Sequence, residues 1–103
     1  MNNKLLSFLG LCRRAGKMTI GNDAVIEEIN NGKSCLVLLA GDASQRTARE
    51  AALEAEKNNV EIRTLSCSKQ QLSQALGRLT AVISIHDAYI LCFQPVFRHQ
   101  TEL

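Results

Sequence analysis

The chain has 103 residues, 46% of them hydrophobic and 21% charged, with a formal net charge of +2. That is the size of one domain, able to bury roughly two-thirds of its unfolded surface in a single core without disulfide staples, and the composition excludes a disordered chain. The aromatic residues Phe8, Tyr89, Phe93 and Phe97 are too few for a platform that stacks single-stranded nucleic acid, so an aliphatic core is expected.

From the N-terminus, Leu5, Phe8, Leu9 and Cys12 recur at helical spacing, and Arg13 and Arg14 complement the dipole at the end of this first helix. Gly16 closes it, and residues 17–20 read as a short strand. Gly21, Asn22 and Asp23 are three helix-start residues in a row. They lead into a second helix with Val25, Ile26 and Ile29 on its apolar face, stopped by Asn30, Asn31 and Gly32. The unbroken apolar run 35–40 has strand length and the pattern of a central strand covered on both faces. A turn over residues 41–44 opens a third helix with Ala48, Ala51, Ala52 and Ala55 on a small face, ending at Asn58 and Asn59. Val60, Ile62 and Thr64 alternate with Glu61 and Arg63, as in a strand nearer an edge. Ser68 and Gln71 stand at capping-box spacing before a helix carrying Leu72, Ala75 and Leu76 and closed by Gly77. Residues 81–85 form another apolar strand, and Asp87 can cap a last helix through Ile90, Leu91 and Phe93 that Pro95 ends. The expected organisation is one α/β domain over residues 1–97, with helices on both faces of a small sheet, and a flexible tail over residues 98–103.

Cys12, Cys35, Cys67 and Cys92 form no C-x-x-C pair and have no histidine at metal-ligand spacing. They read as reduced thiols of a cytoplasmic chain. The N-terminus lacks the apolar stretch of a secretion leader, and no apolar run approaches the ~20 residues that span a bilayer. Charge is uneven. Residues 1–17 carry Lys4, Arg13, Arg14 and Lys17 and no acid, whereas residues 50–61 carry Glu50, Glu54, Glu56 and Glu61 against Lys57 alone. A basic patch of this kind is what a phosphate partner requires.

Four constellations bear on function. Gly21, Asn22 and Asp23 form a plain turn and N-cap, or an anion site in which free N–H groups and a helix dipole receive a phosphate, with Arg14 and Lys17 adding charge. The turn at Gly41, Asp42, Ala43 and Ser44 follows the central strand, where ligands of open α/β sheets gather, but a cap on the third helix by Asp42 or Ser44 is the simpler expectation. Gly77 is a helix C-cap, and Arg78 and Thr80 after it are candidates for phosphate or 2′-hydroxyl contact. His86 and Asp87 supply no oriented nucleophile, and Glu27 and Glu28 read as a solvated helix face. No phosphate-binding loop or dinucleotide fingerprint occurs. No enzyme motif is present, so the residues alone specify only a soluble α/β domain with a candidate anion site, and no catalysis, cofactor, small-molecule substrate or membrane is expected.

Arg14, Ala15, Gly16 and Lys17, then Gly21, Gly32 and Lys33, the apolar run 36–40, and Asp42, Ala43 and Ser44 resemble, in order and spacing, the L7Ae/L30e/S12e/Gadd45 ribosomal-protein family. The pattern is most similar to its small bacterial YlxQ-like, ribosome-associated members. Ser68, Leu72, Ala75, Leu76, Gly77 and Arg78 fit its later helix and turn. The resemblance covers roughly residues 5–92 and implies a three-layer α/β/α sandwich around a mixed sheet of about four strands. It also implies a protein that binds structured RNA, ribosomal or messenger, of the kink-turn kind, by shape and unstacked bases. Carried over by position, the second-helix contacts fall on Gly21, Asn22, Asp23 and Ala24, the turn after the central strand on Asp42, and the loop clamping a flipped-out nucleotide on Arg78, Leu79 and Thr80. Lys17 and Lys33 are implied as supporting phosphate contacts. Asp23 and Ala24 stand where kink-turn binders usually carry Asn and Glu, and Glu27 stands where a lysine is common. That favours, as the alternative, a Gadd45-like protein–protein module without RNA affinity, for which a homodimer is a compatible assembly.

Overall fold

The computed structural model describes residues 3–86, which carry α1 (Asn3–Arg14), β1 (Met18–Ile20), α2 (Asn22–Asn30), β2 (Leu36–Leu39), α3 (Gln45–Lys57), β3 (Glu61–Thr64), α4 (Lys69–Leu76) and β4 (Val82–Ile85). The helix expected after Asp87, Cys92, the stop at Pro95 and the tail at 98–103 lie outside the described residues.

The four strands form one mixed sheet in the order β1-β4-β2-β3. β2 runs parallel to β3, and β4 runs antiparallel to both β1 and β2. The inner strands β2 and β4 are buried at every position, whereas the edge strand β3 keeps Glu61 and Thr64 exposed, as its alternation implies.

Strand periodicity sorts the core into two halves. Leu36, Leu38, Ile83 and Ile85 point to the face covered by α1 and α4, where Leu5, Leu9, Leu72 and Leu76 meet them. Val37, Leu39 and Val82 point to the other face and meet Val25, Ile29 and Ala51 from α2 and α3. Each fully buried leucine or isoleucine contributes about 1.5–3 kcal/mol of apolar transfer, so this aliphatic layering sustains the three-layer α/β/α sandwich. On α3, Ala51 and Ala55 are buried against the sheet, but Ala52 faces solvent.

One polar group corrects the sequence reading. Glu27 is exposed, but Glu28 turns inward over the sheet. Its carboxylate accepts from the Thr19 hydroxyl at 2.6 Å and from the fully buried Ser84 hydroxyl at 2.9 Å, and Ser34 closes the group at 2.7 Å from Ser84. Buried hydroxyls need partners, and a partly shielded carboxylate supplies strong ones.

The strand directions place the site. β1, β2 and β3 all run the same way, so their carboxyl ends share one end of the sheet with the amino end of β4. There the backbone after β2 passes close beneath the segment after β3. Gly41 N–H donates to the Cys67 carbonyl at 2.8 Å, and a Cβ on Gly41 would stand 2.8 Å from the Leu65 carbonyl oxygen.

Candidate nucleic-acid interface

Three helices begin at this end of the sheet, and two of them have their first turns capped by side chains. Ser44 accepts from Thr47 N–H at 3.1 Å on α3. On α4, Ser68 and Gln71 form a reciprocal capping box, and Asp42 accepts from Lys69 N–H at 2.8 Å. Ser44, one of the two candidates, thus caps α3, while Asp42 serves α4 instead. α2 differs from both. Its N-cap is Gly21, at φ 106° and ψ 146°, and no side chain caps its first turn. A helix start of this kind presents N–H groups and the positive end of a dipole to an anion.

Asn22 holds α2 to α3. Its Nδ2 donates to Glu50 Oε1 at 2.8 Å, which fixes the amide orientation, because the reverse would set its oxygen against a carboxylate. The Asn22 Oδ1 is buried and has no hydrogen-bond partner. Asp23 and Ala24 are exposed. The outer flank of α2 is acidic: Asp23, Glu27, Glu50 and Glu54 line one groove between α2 and α3.

The loop before β4 reaches the same place. The Arg78 guanidinium lies 3.5 Å from the position a Cβ would occupy on Gly21. Leu79 is 77% exposed, an unusual position for a large apolar side chain. Thr80 is only 6% exposed, and its hydroxyl donates to the Val82 carbonyl at 2.8 Å. The start of β4 thus already uses the donor of the hydroxyl expected to contact RNA. Arg78, Leu79 and Asp42 line an open depression of about 700 Å³ together with Lys69, Gln70, Ser73, Gln74 and Gly77. Neither the Lys69 ammonium nor the Arg78 guanidinium has an ion-pair partner among the described residues. Sequence reasoning read Lys69 only as the second residue of a capping box. Its neighbourhood with Arg78 depends on packing, and no local signal pointed to it.

Two expected contacts are not part of this cluster. Lys17 sits at the amino end of β1, its carbonyl accepting from His86 N–H at 3.2 Å, so the length of β1 separates it from Gly21. Lys33 follows the carboxyl end of α2, its N–H bonded to the Glu28 carbonyl at 3.1 Å. At about 3.3 Å per residue along β1 and about 1.5 Å per residue along α2, both backbones are about 10 Å or more from the loop cluster.

The arrangement offers uncapped N–H donors, two unpaired cations and an exposed leucine around an open surface. These groups bind and orient a ligand. Among the described residues, no three or more His, Cys, Asp or Glu side chains gather as a metal site.

Residues 3–88 match the model of the ribosomal protein L7Ae/L30e/S12e/Gadd45 family. The chain is 36% identical over 75 residues to the RNA-binding protein YlxQ of Bacillus subtilis (strain 168), which covers 73% of this chain and 74% of that protein. It is 31% identical over 84 residues to the RNA-binding protein YlxQ of Enterococcus faecium, covering 82% and 81%. Among solved structures, a protein with unknown function from Bacillus halodurans C superposes with a TM-score of 0.85 at 26% identity, covering 96% of this chain and 100% of that one. The Giardia lamblia 15.5kD RNA binding protein has the same fold, with a TM-score of 0.71 at 23% identity over 97% and 90% of the two chains.

Proposed function

Since the chain belongs to the ribosomal protein L7Ae/L30e/S12e/Gadd45 family, we propose that it is a non-catalytic RNA-binding protein that recognises structured, kink-turn-like RNA in the cytoplasm, in association with the ribosome. The observation that carries this reading is the uncapped α2 N-terminus abutting Arg78, beside the depression shared by Lys69 and Leu79. The names of the two YlxQ relatives support it. In this reading the α2 N–H groups meet base edges and phosphate in the kinked groove. Arg78 and Lys69 neutralise phosphates, and Leu79 packs against an unstacked base.

Binding to a kink-turn RNA and to an unkinked duplex at two salt concentrations tests the proposal. Tight binding that requires the kink is the expected result. Weak binding that ignores the kink and vanishes with salt would refute kink-turn recognition, and failure to co-sediment with ribosomal subunits would refute the ribosomal association.

The acidic groove of Asp23, Glu27, Glu50 and Glu54 favours a second reading, a protein–protein module on the same fold. Phosphates are repelled from that flank, whereas a basic protein surface is attracted to it. Absence of affinity for any structured RNA, with a homodimer or a stable protein complex in solution, is the outcome that would establish it.

A further inference from the structure

We infer that the RNA footprint continues beyond α2 along a ridge of three arginines, Arg78, Arg13 and Arg14, onto the carboxyl end of α1, where it takes the phosphodiester backbone of the flanking RNA helix. This rests on the RNA reading above and adds a surface on the opposite layer of the sandwich.

The three arginines stand where α1 packs on α4 and on the loop that follows α4. Arg78 reaches Gly21 at one end, and its chain neighbour Gly77 lies under Arg13, whose Nη1 stands 3.6 Å from the Cβ position on Gly77. Arg13 also donates to the Leu76 carbonyl, which fixes its head group at the end of α4. Arg14 follows on α1, with Nη1 3.7 Å from the Cβ position on Gly10. All three arginines are exposed, α1 and residues 77–81 contain no acid, and no carboxylate pairs with any of the three among the described residues.

Two bland roles explain part of this. Cations at the end of a helix complement its dipole, and Arg13 caps α4. Neither role requires Arg14 to remain unpaired beside Arg13, or the row to lead to the uncapped start of α2. The surrounding charge also sets a direction. A phosphate backbone leaving the α2 N-terminus is repelled on the α3 side by Asp23, Glu27, Glu50 and Glu54 and attracted on the α1 side by three guanidinium forks. Arg13 is already held in place, so ordering it on RNA loses little side-chain entropy.

The test uses the full chain with Arg14→Ala and Arg14→Lys, and with Lys57→Ala as a charge control at the far end of α3. Affinity is measured against salt for a structured RNA with a long flanking helix and for the same RNA with that helix shortened. Arg14→Ala is expected to weaken binding several-fold and to reduce the salt slope by about 0.7–0.9, the loss of one phosphate contact. Arg14→Lys should restore most of the slope, Lys57→Ala should leave it unchanged, and shortening the flank should erase the Arg14→Ala effect. Wild-type slope in Arg14→Ala, or an equal loss in Lys57→Ala, overturns the ridge while leaving the α2 reading intact. If the wild-type chain binds no structured RNA, the α2 reading falls first and the ridge with it.

Discussion

Gly21 and Gly41 are required for different reasons, and alanine separates them. At Gly21 the backbone lies in a region that glycine alone enters readily, so Gly21→Ala strains the turn by about 1–3 kcal/mol and sets a methyl against Arg78. At Gly41 the new Cβ meets a carbonyl oxygen that no rotamer change can move, and overpacking of that kind destabilises by about 1–3 kcal/mol. Urea titrations should show both losses. Only Gly21→Ala should also lower RNA affinity at a temperature where both variants are folded. Cys67 gives a pH signature. Burial raises the pKa of its thiol and the nearby Asp42 charge adds to that, against a backbone hydrogen bond that lowers it. A folded pKa above the unfolded one stabilises the fold below the unfolded value and stops doing so as pH rises through the folded one. Stability is therefore expected to fall on the alkaline side of the ordinary thiol range, and Cys67→Ala should flatten that limb of the stability–pH curve. At this scale Gly21 was legible from its place before an apolar run. Lys69 was not, because only packing brings it to the depression that Arg78 lines, and the bond of the Thr80 hydroxyl to Val82 closes a turn that a residue list does not reveal.

Elements were the most legible level, since period and punctuation are local. The run at 35–40 became the buried β2, the alternation around Ile62 became the edge strand β3, and the Ser68–Gln71 capping box formed as spaced. What the pattern concealed is how α2 is fastened. Its apolar residues Val25 and Ile29 seat it on the sheet, but Glu28 sets its rotation through Thr19 on β1 and Ser84 on β4. A glutamate beside another glutamate carries no local sign of facing inward, and its partner Ser84 lies 56 positions away. Glu28→Ala leaves two hydroxyls without their acceptor and is expected to destabilise the domain by about 1–3 kcal/mol. Glu28→Gln retains one acceptor oxygen and should lose less. Denaturant midpoints of the two variants decide between this fastening and a solvated Glu28, for which both changes would be neutral.

The candidate interface exists only at the scale of the whole sheet. Gly21, Asp42 and Arg78 come from three connections between elements and Lys69 from the first turn of α4, and they meet because β1, β2 and β3 point one way and β4 returns between β1 and β2. Strand order is non-local, so a list of basic residues near glycines could not separate Arg78, which arrives at the α2 N-terminus, from Lys33, which departs from its far end. Family resemblance implied RNA contacts on the α2 start and on this loop and a supporting phosphate contact at Lys33, which the fold sets at the far end of α2. The geometry makes this separable. Each phosphate contact contributes close to one unit of salt slope, so Arg78→Ala and Lys69→Ala should each reduce the slope for structured RNA by about 0.7–0.9. Lys33→Ala should leave the slope alone, although it removes the same charge and changes the net field equally. Because Lys69 and Arg78 line one depression, the double variant should lose less affinity than the two single losses combined if they share a phosphate, and their full sum if each holds its own. An equal slope change for Lys33→Ala would mean that the RNA wraps the length of α2 and that the loop end alone does not define the interface.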